Sequence, residues 1–194
     1  MIKNNLVKHL FVIAVLLFFS SVSIAGTEPT PRELEQEVVR YTALLLHDGG
    51  NAKYLNDLGF AYYRLHRVPE ALTVFLKAVA SDPACSTSYN NLGAAYLRLK
   101  EYGKAEDAFS KALAINPHFI KAAYNLSVAL YRQKKYFAAY KAYQRAKEID
   151  ADYVKKRFDS SHAGEKLHED VKNDPNNPYL QTIVKSADKG EAAR

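Results

Sequence analysis

His162, Glu165, His168 and Glu169 form the one cluster whose residue types could hold a metal ion and, through it, activate water. On a helix, His162, Glu165 and Glu169 share a side while His168 turns to the other flank, so the four do not converge. A two-histidine helical site wants a spacing of four, which this cluster lacks, and it reads as a solvated helix with no metal. The only cysteine, Cys85, cannot make an internal disulfide. Lying just after Pro83, it reads as a small, partly buried turn residue, with intermolecular pairing or reactivity as the alternative. His47, His66 and His118 stand in or beside connections between helices. The remaining residues supply no Ser-His-Asp set, glycine-rich phosphate loop, paired catalytic carboxylates or cysteine-histidine nucleophile. The sequence therefore makes no positive case for an enzyme, and neither a cofactor nor a small-molecule substrate is expected.

The elements that must position any site repeat at a fixed step. Gly59 and Gly93 lie 34 residues apart, and Leu58 and Leu92, Tyr62 and Tyr96, Ala71 and Ala105, Phe75 and Phe109, Ala78 and Ala112, and Pro83 and Pro117 keep the same interval. A constant period of this length marks stacked helix-turn-helix units. A glycine inside a helix costs about 1 kcal/mol relative to alanine, so its recurrence implies that another helix approaches closely there.

These residues resemble tetratricopeptide repeats, whose helix A carries a Leu-Gly pair and a Tyr, and whose helix B carries Ala, Phe and Ala before a closing Pro. Units 52–85 and 86–119 match at every such position. A third unit, 120–152, keeps Leu126, Ala139 and Ala146 but has Ser127 for glycine, Leu130 for Tyr, Tyr143 for Phe and Ala151 for Pro. The tryptophan often found early in helix A is replaced by Leu55, Tyr89 and Ala123. The resemblance implies an all-α fold: a short right-handed α-solenoid of three helix hairpins, with an N-terminal capping helix within 26–51 and a C-terminal solvating helix at 153–173. Thr30, Pro31 and Glu33 supply an N-cap, a first-turn proline and a capping-box partner for a helix running to about His47, with Val38, Leu45 and Leu46 on its apolar side.

Number each unit so that the glycine is its eighth residue. Positions four, seven, eight and eleven of helix A then form a stripe that meets helix B, with Tyr89, Leu92, Gly93 and Tyr96 as the example in the second unit. The opposite side, by resemblance, lines a concave face. There the sequence offers Lys53, Asn56, Phe60, Tyr63 and Arg64, then Asn90, Asn91 and Arg98, then Lys121, Tyr124, Asn125, Tyr131 and Arg132. Amides can pair with a peptide backbone, rings give apolar area and guanidinium groups grip carboxylates, so a protein or peptide partner carrying acids suits this set. Each group also has a structural reading. Arg64, Arg98 and Arg132 sit where a helix dipole favours a cation, and Phe60, Tyr63, Tyr124 and Tyr131 could instead be covered by the C-terminal segment. Some members of the family hold a C-terminal carboxylate in a clamp of five positions. Asn91 and Lys121 match that clamp while Asn56, Phe60 and Asn125 depart, so a dedicated carboxylate clamp is not expected.

At the N-terminus, Lys3 and Lys8 precede an apolar run from Leu10 to Phe19 and a small-residue stretch ending at Ala25, the three parts of a secretory signal. Cleavage after Ala25 is the main reading, and an uncleaved membrane anchor at 10–25 is the alternative. Loss of 1–25 removes two lysines and no acid, lowering the formal charge from +6 to +4. Positive residues alternate with acids along helix B, and an exported protein seldom meets nucleic acid, so none is expected. The tail from 174 to 194 reads as mostly flexible, with Tyr179, Leu180, Ile183 and Val184 as a short docking group. The expectation is a periplasmic adaptor or scaffold, the alternative a structural component that assembles by repeat stacking or through its tail.

Overall fold

The computed structural model describes residues 28–158, 170 and 172–174, and these fall into two compact units that divide between Leu99 and Lys100. Every regular element among the described residues is an α-helix. The first unit holds α1 (Pro31–His47), α2 (Ala52–Arg64), α3 (Val68–Ser81) and α4 (Ser86–Arg98). The second holds α5 (Tyr102–Ile115), α6 (Ile120–Arg132), α7 (Tyr136–Ile149) and α8 (Ala151–Phe158). The signal-like segment, the histidine cluster and the docking group at 179–184 lie outside the described residues. Among the described residues no helix is long and apolar enough to cross a membrane, and no group of three or more His, Cys, Asp or Glu could hold a metal ion.

In the first unit each helix packs on the next, and α2 also touches α4. The α2–α3 hairpin closes where Gly59 meets the ring of Phe75, which is 1% exposed. A Cβ on Gly59 would stand 2.5 Å from Phe75 Cε1, well inside contact distance. Ala61, Ala71 and Ala78 are fully buried, so small side chains set the close approach of the helices.

The capping box of α1 is made in both directions: Glu33 N–H donates to Thr30 Oγ1 at 3.3 Å and Thr30 N–H to Glu33 Oε2 at 2.7 Å. Val38 joins Leu58 and Ala61 in one cluster, with Tyr41 and Leu45 against it. Leu46, expected on this apolar side, is instead 84% exposed. Its Cα direction lies roughly 80° from that of Val38 and farther still from those of Leu34 and Tyr41, which leaves it off the buried stripe.

In the second unit Leu130 and Ala139 centre the α6–α7 hairpin, with Leu126, Tyr131, Tyr136 and Tyr143 packed around them. Ser127, at the glycine position, is buried and turns its hydroxyl onto the Tyr124 carbonyl at 2.6 Å, so the polar atom is satisfied within its own helix. Gln133 Nε2 and Lys135 Nζ both reach Glu106 Oε2 at 2.7 Å, tying the α6–α7 turn to α5. Burial pushes the Glu106 carboxyl up, but these two donors win and hold it below its ordinary range. The C-terminal helix starts at Ala151, two residues ahead of the expected 153, because Asp150 accepts from Tyr153 N–H at 2.8 Å and so caps the first turn.

The turn from helix A to helix B repeats as well. His66, Lys100 and Lys134, spaced by the same 34 residues, have φ of 62°, 63° and 62°. At His66 and Lys134 the turn is a Schellman motif, with Arg67 N–H reaching the Tyr62 carbonyl at 2.9 Å and Lys135 N–H the Leu130 carbonyl at 3.0 Å. A side chain in this left-handed conformation is strained where glycine is not. Lys100→Gly and Lys134→Gly are each expected to stabilise the protein by about 0.5–1 kcal/mol, after allowing for the extra freedom of an unfolded glycine. Thermal melts followed by circular dichroism check this, and a lower midpoint for both variants would count against strain at these turns.

Candidate functional site

The first unit presents its candidate residues on α2 and α4, and the two helices meet through amides. Asn56 Nδ2 donates to Ser88 Oγ at 2.6 Å and to the Ala52 carbonyl at 3.0 Å. Asn91 Nδ2 donates to Asn56 Oδ1 at 3.2 Å, and Asn90 Nδ2 reaches Asn91 Oδ1 at 3.4 Å. Asn56 and Asn90 are each only 7% exposed and Ser88 is fully buried. Asn56 and Asn90 therefore do not stand on the open face as expected. Asn56 is covered because α2 and α4 pack through it and its amide is spent on Ser88 and Asn91 of α4, while the Asn90 amide turns to Asn91 of its own helix.

What remains open on this unit is aromatic and cationic. Phe60 is 49% exposed. The Arg64 guanidinium lies 6.0 Å from the Phe60 ring centre, and that of Arg98 lies 5.0 Å from the ring centre of Tyr63. At these distances each cation is attracted by the negative face of its ring. Arg64 also ion-pairs with Glu28, and Arg98 hydrogen bonds with His66. Lys53 is bridged to Asp57 one turn along at 3.1 Å, and the Asp57 hydrogen bond raises its ammonium pKa.

On the second unit, α6 carries the rest of the set. Lys121 and Arg132 are exposed, while Tyr124, Asn125 and Tyr131 are half-buried. Tyr131 Oη donates to Asp170 Oδ2 at 2.7 Å. That hydrogen bond is the main reason its phenol is pushed up to about 12, with burial second. Tyr124 stands edge-on to Tyr153 of α8, with centroids 6.1 Å apart, and burial raises its phenol pKa. The two tyrosines are thus met by later residues of the same chain.

Several contributors escaped the sequence reading. Ser88, a small polar residue two positions before Asn90, carried no signal of its interhelix role. The left-handed residues could have been found, since they obey the period already read. Glu28 and Asp170 sit 36 and 39 residues from their partners and only coordinates bring them together. Cys85 is half-buried at the start of α4 and free of any disulfide.

Models of the tetratricopeptide repeat match residues 52–85 and 86–119. No curated protein matches the chain. Among solved structures, the first such domain of Spaghetti (RPAP3), bound to the HSP90 peptide SRMEEVD, is 26% identical with a TM-score of 0.56, over 61% of this chain and 90% of that one. The first domain of human RPAP3 is 25% identical with a TM-score of 0.57, over 63% and 93%. A crystal structure of MamA, 21% identical, aligns over 87% of this chain and 99% of its own with a TM-score of 0.61, a likeness of fold alone. The chain thus carries two tetratricopeptide repeats, at 52–85 and 86–119, in an all-α fold of that solenoid class.

Proposed function

We propose that this chain is a non-catalytic protein-interaction module, an adaptor or scaffold, that holds a peptide or partner helix on the open faces of its A helices. The observation that carries this reading is the surface of Phe60, Tyr63, Arg64 and Arg98: a half-exposed ring with two arginines within cation–π reach of aromatic rings. Apolar area next to guanidinium groups suits a segment that alternates apolar and acidic residues. The Spaghetti (RPAP3) domain supports the class of partner, because its peptide SRMEEVD is short and acidic. Asn56, Phe60 and Asn125 stand where a carboxylate clamp wants other residues, so the acids read here are side chains rather than a chain end. Lys3, Lys8, the apolar run from Leu10 and the small residues up to Ala25 support an envelope setting, periplasmic after cleavage or anchored by residues 10–25.

Affinity capture of the tagged full chain from its native host, with mass-spectrometric identification, tests the reading. Phe60→Ser/Arg98→Ala is expected to lose the captured partner by at least about tenfold, as loss of an aromatic or arginine anchor does, while Leu46→Ser on the outer side of α1 retains it. Equal capture by both variants would abandon the open face as the binding surface. If the only captured protein is the chain itself, and Leu46→Ser abolishes that capture, self-assembly through Leu46 and its exposed α1 neighbour Val39, 55% exposed, takes its place.

A further inference from the structure

The outward tyrosines of α6 each have an occupant from the chain's own later residues. Tyr131 gives its hydroxyl proton to Asp170 at 2.7 Å. Tyr124 is met edge-on by Tyr153, and the Arg157 guanidinium lies 6.0 Å from the Tyr124 ring centre and 5.2 Å from that of Tyr153. Val154, 2% exposed, anchors α8 in this position. We propose that Asp170, with Tyr153 and Arg157, is a built-in occupant of the α6 face, and that its carboxylate stands where an aspartate or glutamate of a partner peptide binds. This rests on the reading of the A-helix faces as peptide-binding surfaces.

The competition follows from the inventory of donors. A tyrosine has one O–H proton, and a charge-assisted bond to a carboxylate uses it fully, so Tyr131 cannot serve Asp170 and a ligand's acid together. With its phenol held near 12, Tyr131 remains a donor throughout the physiological range, so the contest is between two acceptors. A tethered acceptor acts at an effective concentration that can reach millimolar, so it weakens a free peptide without abolishing its binding. The acidic HSP90 peptide held by the Spaghetti (RPAP3) domain shows that such ligands occur on this fold, while Asp170 supplies the equivalent chemistry from within.

A fluorescein-labelled synthetic peptide of residues 165–178, which contains Asp170 and Asp174, is titrated against the full chain in wild-type, Asp170→Asn and Asp170→Asn/Tyr131→Phe forms. Asparagine still accepts from the Tyr131 hydroxyl but without the charge, which roughly halves the strength of the bond, so Asp170→Asn is expected to bind the peptide about 5- to 10-fold more tightly than wild type. Tyr131→Phe is expected to remove the gain. Ultraviolet titration of Asp170→Asn is expected to show the Tyr131 phenol moving down from about 12 toward its ordinary value. Equal binding by wild type and Asp170→Asn, no binding by either, or a gain that survives Tyr131→Phe would overturn the proposal. Because the probe is the chain's own sequence, these outcomes are independent of partner capture: failed capture removes the adaptor reading, whereas an unchanged peptide affinity removes only the occupant.

Discussion

Phe75→Ala is expected to cost about 3–5 kcal/mol, and Gly59→Leu, which adds bulk where Phe75→Ala removes it, about 3 kcal/mol. The two residues share one contact, with the Gly59 Cβ position 2.5 and 2.7 Å from two atoms of the Phe75 ring. Since Phe75 is 1% exposed, its ring has little room to retreat. Leucine is a far better helix former than glycine by about 1 kcal/mol, so propensity alone predicts a stabilising change at position 59. The sign of the measured effect decides which term governs. Urea denaturation followed at 222 nm is the measurement, and the double variant Gly59→Leu/Phe75→Ala is expected to cost several kcal/mol less than the sum of the two singles, because leucine fills the space the ring vacates. Strict additivity would show that the glycine is there for some other reason.

This pair also shows why the fold was legible. A glycine, an alanine and an aromatic ring at a constant interval are a steric statement, and steric statements survive in residue type: only a missing Cβ admits the ring. The Thr30 and Glu33 capping box was readable for the same reason, since its partners lie three residues apart and the geometry is local. The face assigned to a partner was less legible. Helical angles put Asn56 and Asn90 on the same face as the exposed Phe60 and Arg98 and the half-buried Tyr63 and Arg64, but the two asparagines are buried. An asparagine offers the same donors and acceptor to a ligand as to a neighbouring helix, so its type cannot say which one takes them. Leu46 failed differently, by counting an apolar residue into a stripe it borders. Contacts such as Tyr131 with Asp170 depend on a chain path that no periodic pattern encodes.

The buried amides yield the second large effect. Asn56→Ala is expected to destabilise the first unit by about 2–3 kcal/mol, because it strands the Ser88 hydroxyl in a fully buried position and removes the acceptor of Asn91. Ser88→Ala alone is expected to cost about 1 kcal/mol, leaving Asn56 its bonds to Ala52 and Asn91. When both partners of a buried hydrogen bond become apolar the desolvation penalty largely disappears, so Asn56→Leu/Ser88→Ala is expected to recover much of the loss. Urea midpoints for the four proteins measure the coupling. A role in partner binding predicts the opposite pattern: Asn56→Ala would keep its stability and lose capture, and Ser88→Ala would change neither. The hydroxyl 2.6 Å from Asn56 makes the two roles separable, because a fully buried serine cannot touch a partner, and any coupling it shows with Asn56 arises inside the α2–α4 contact.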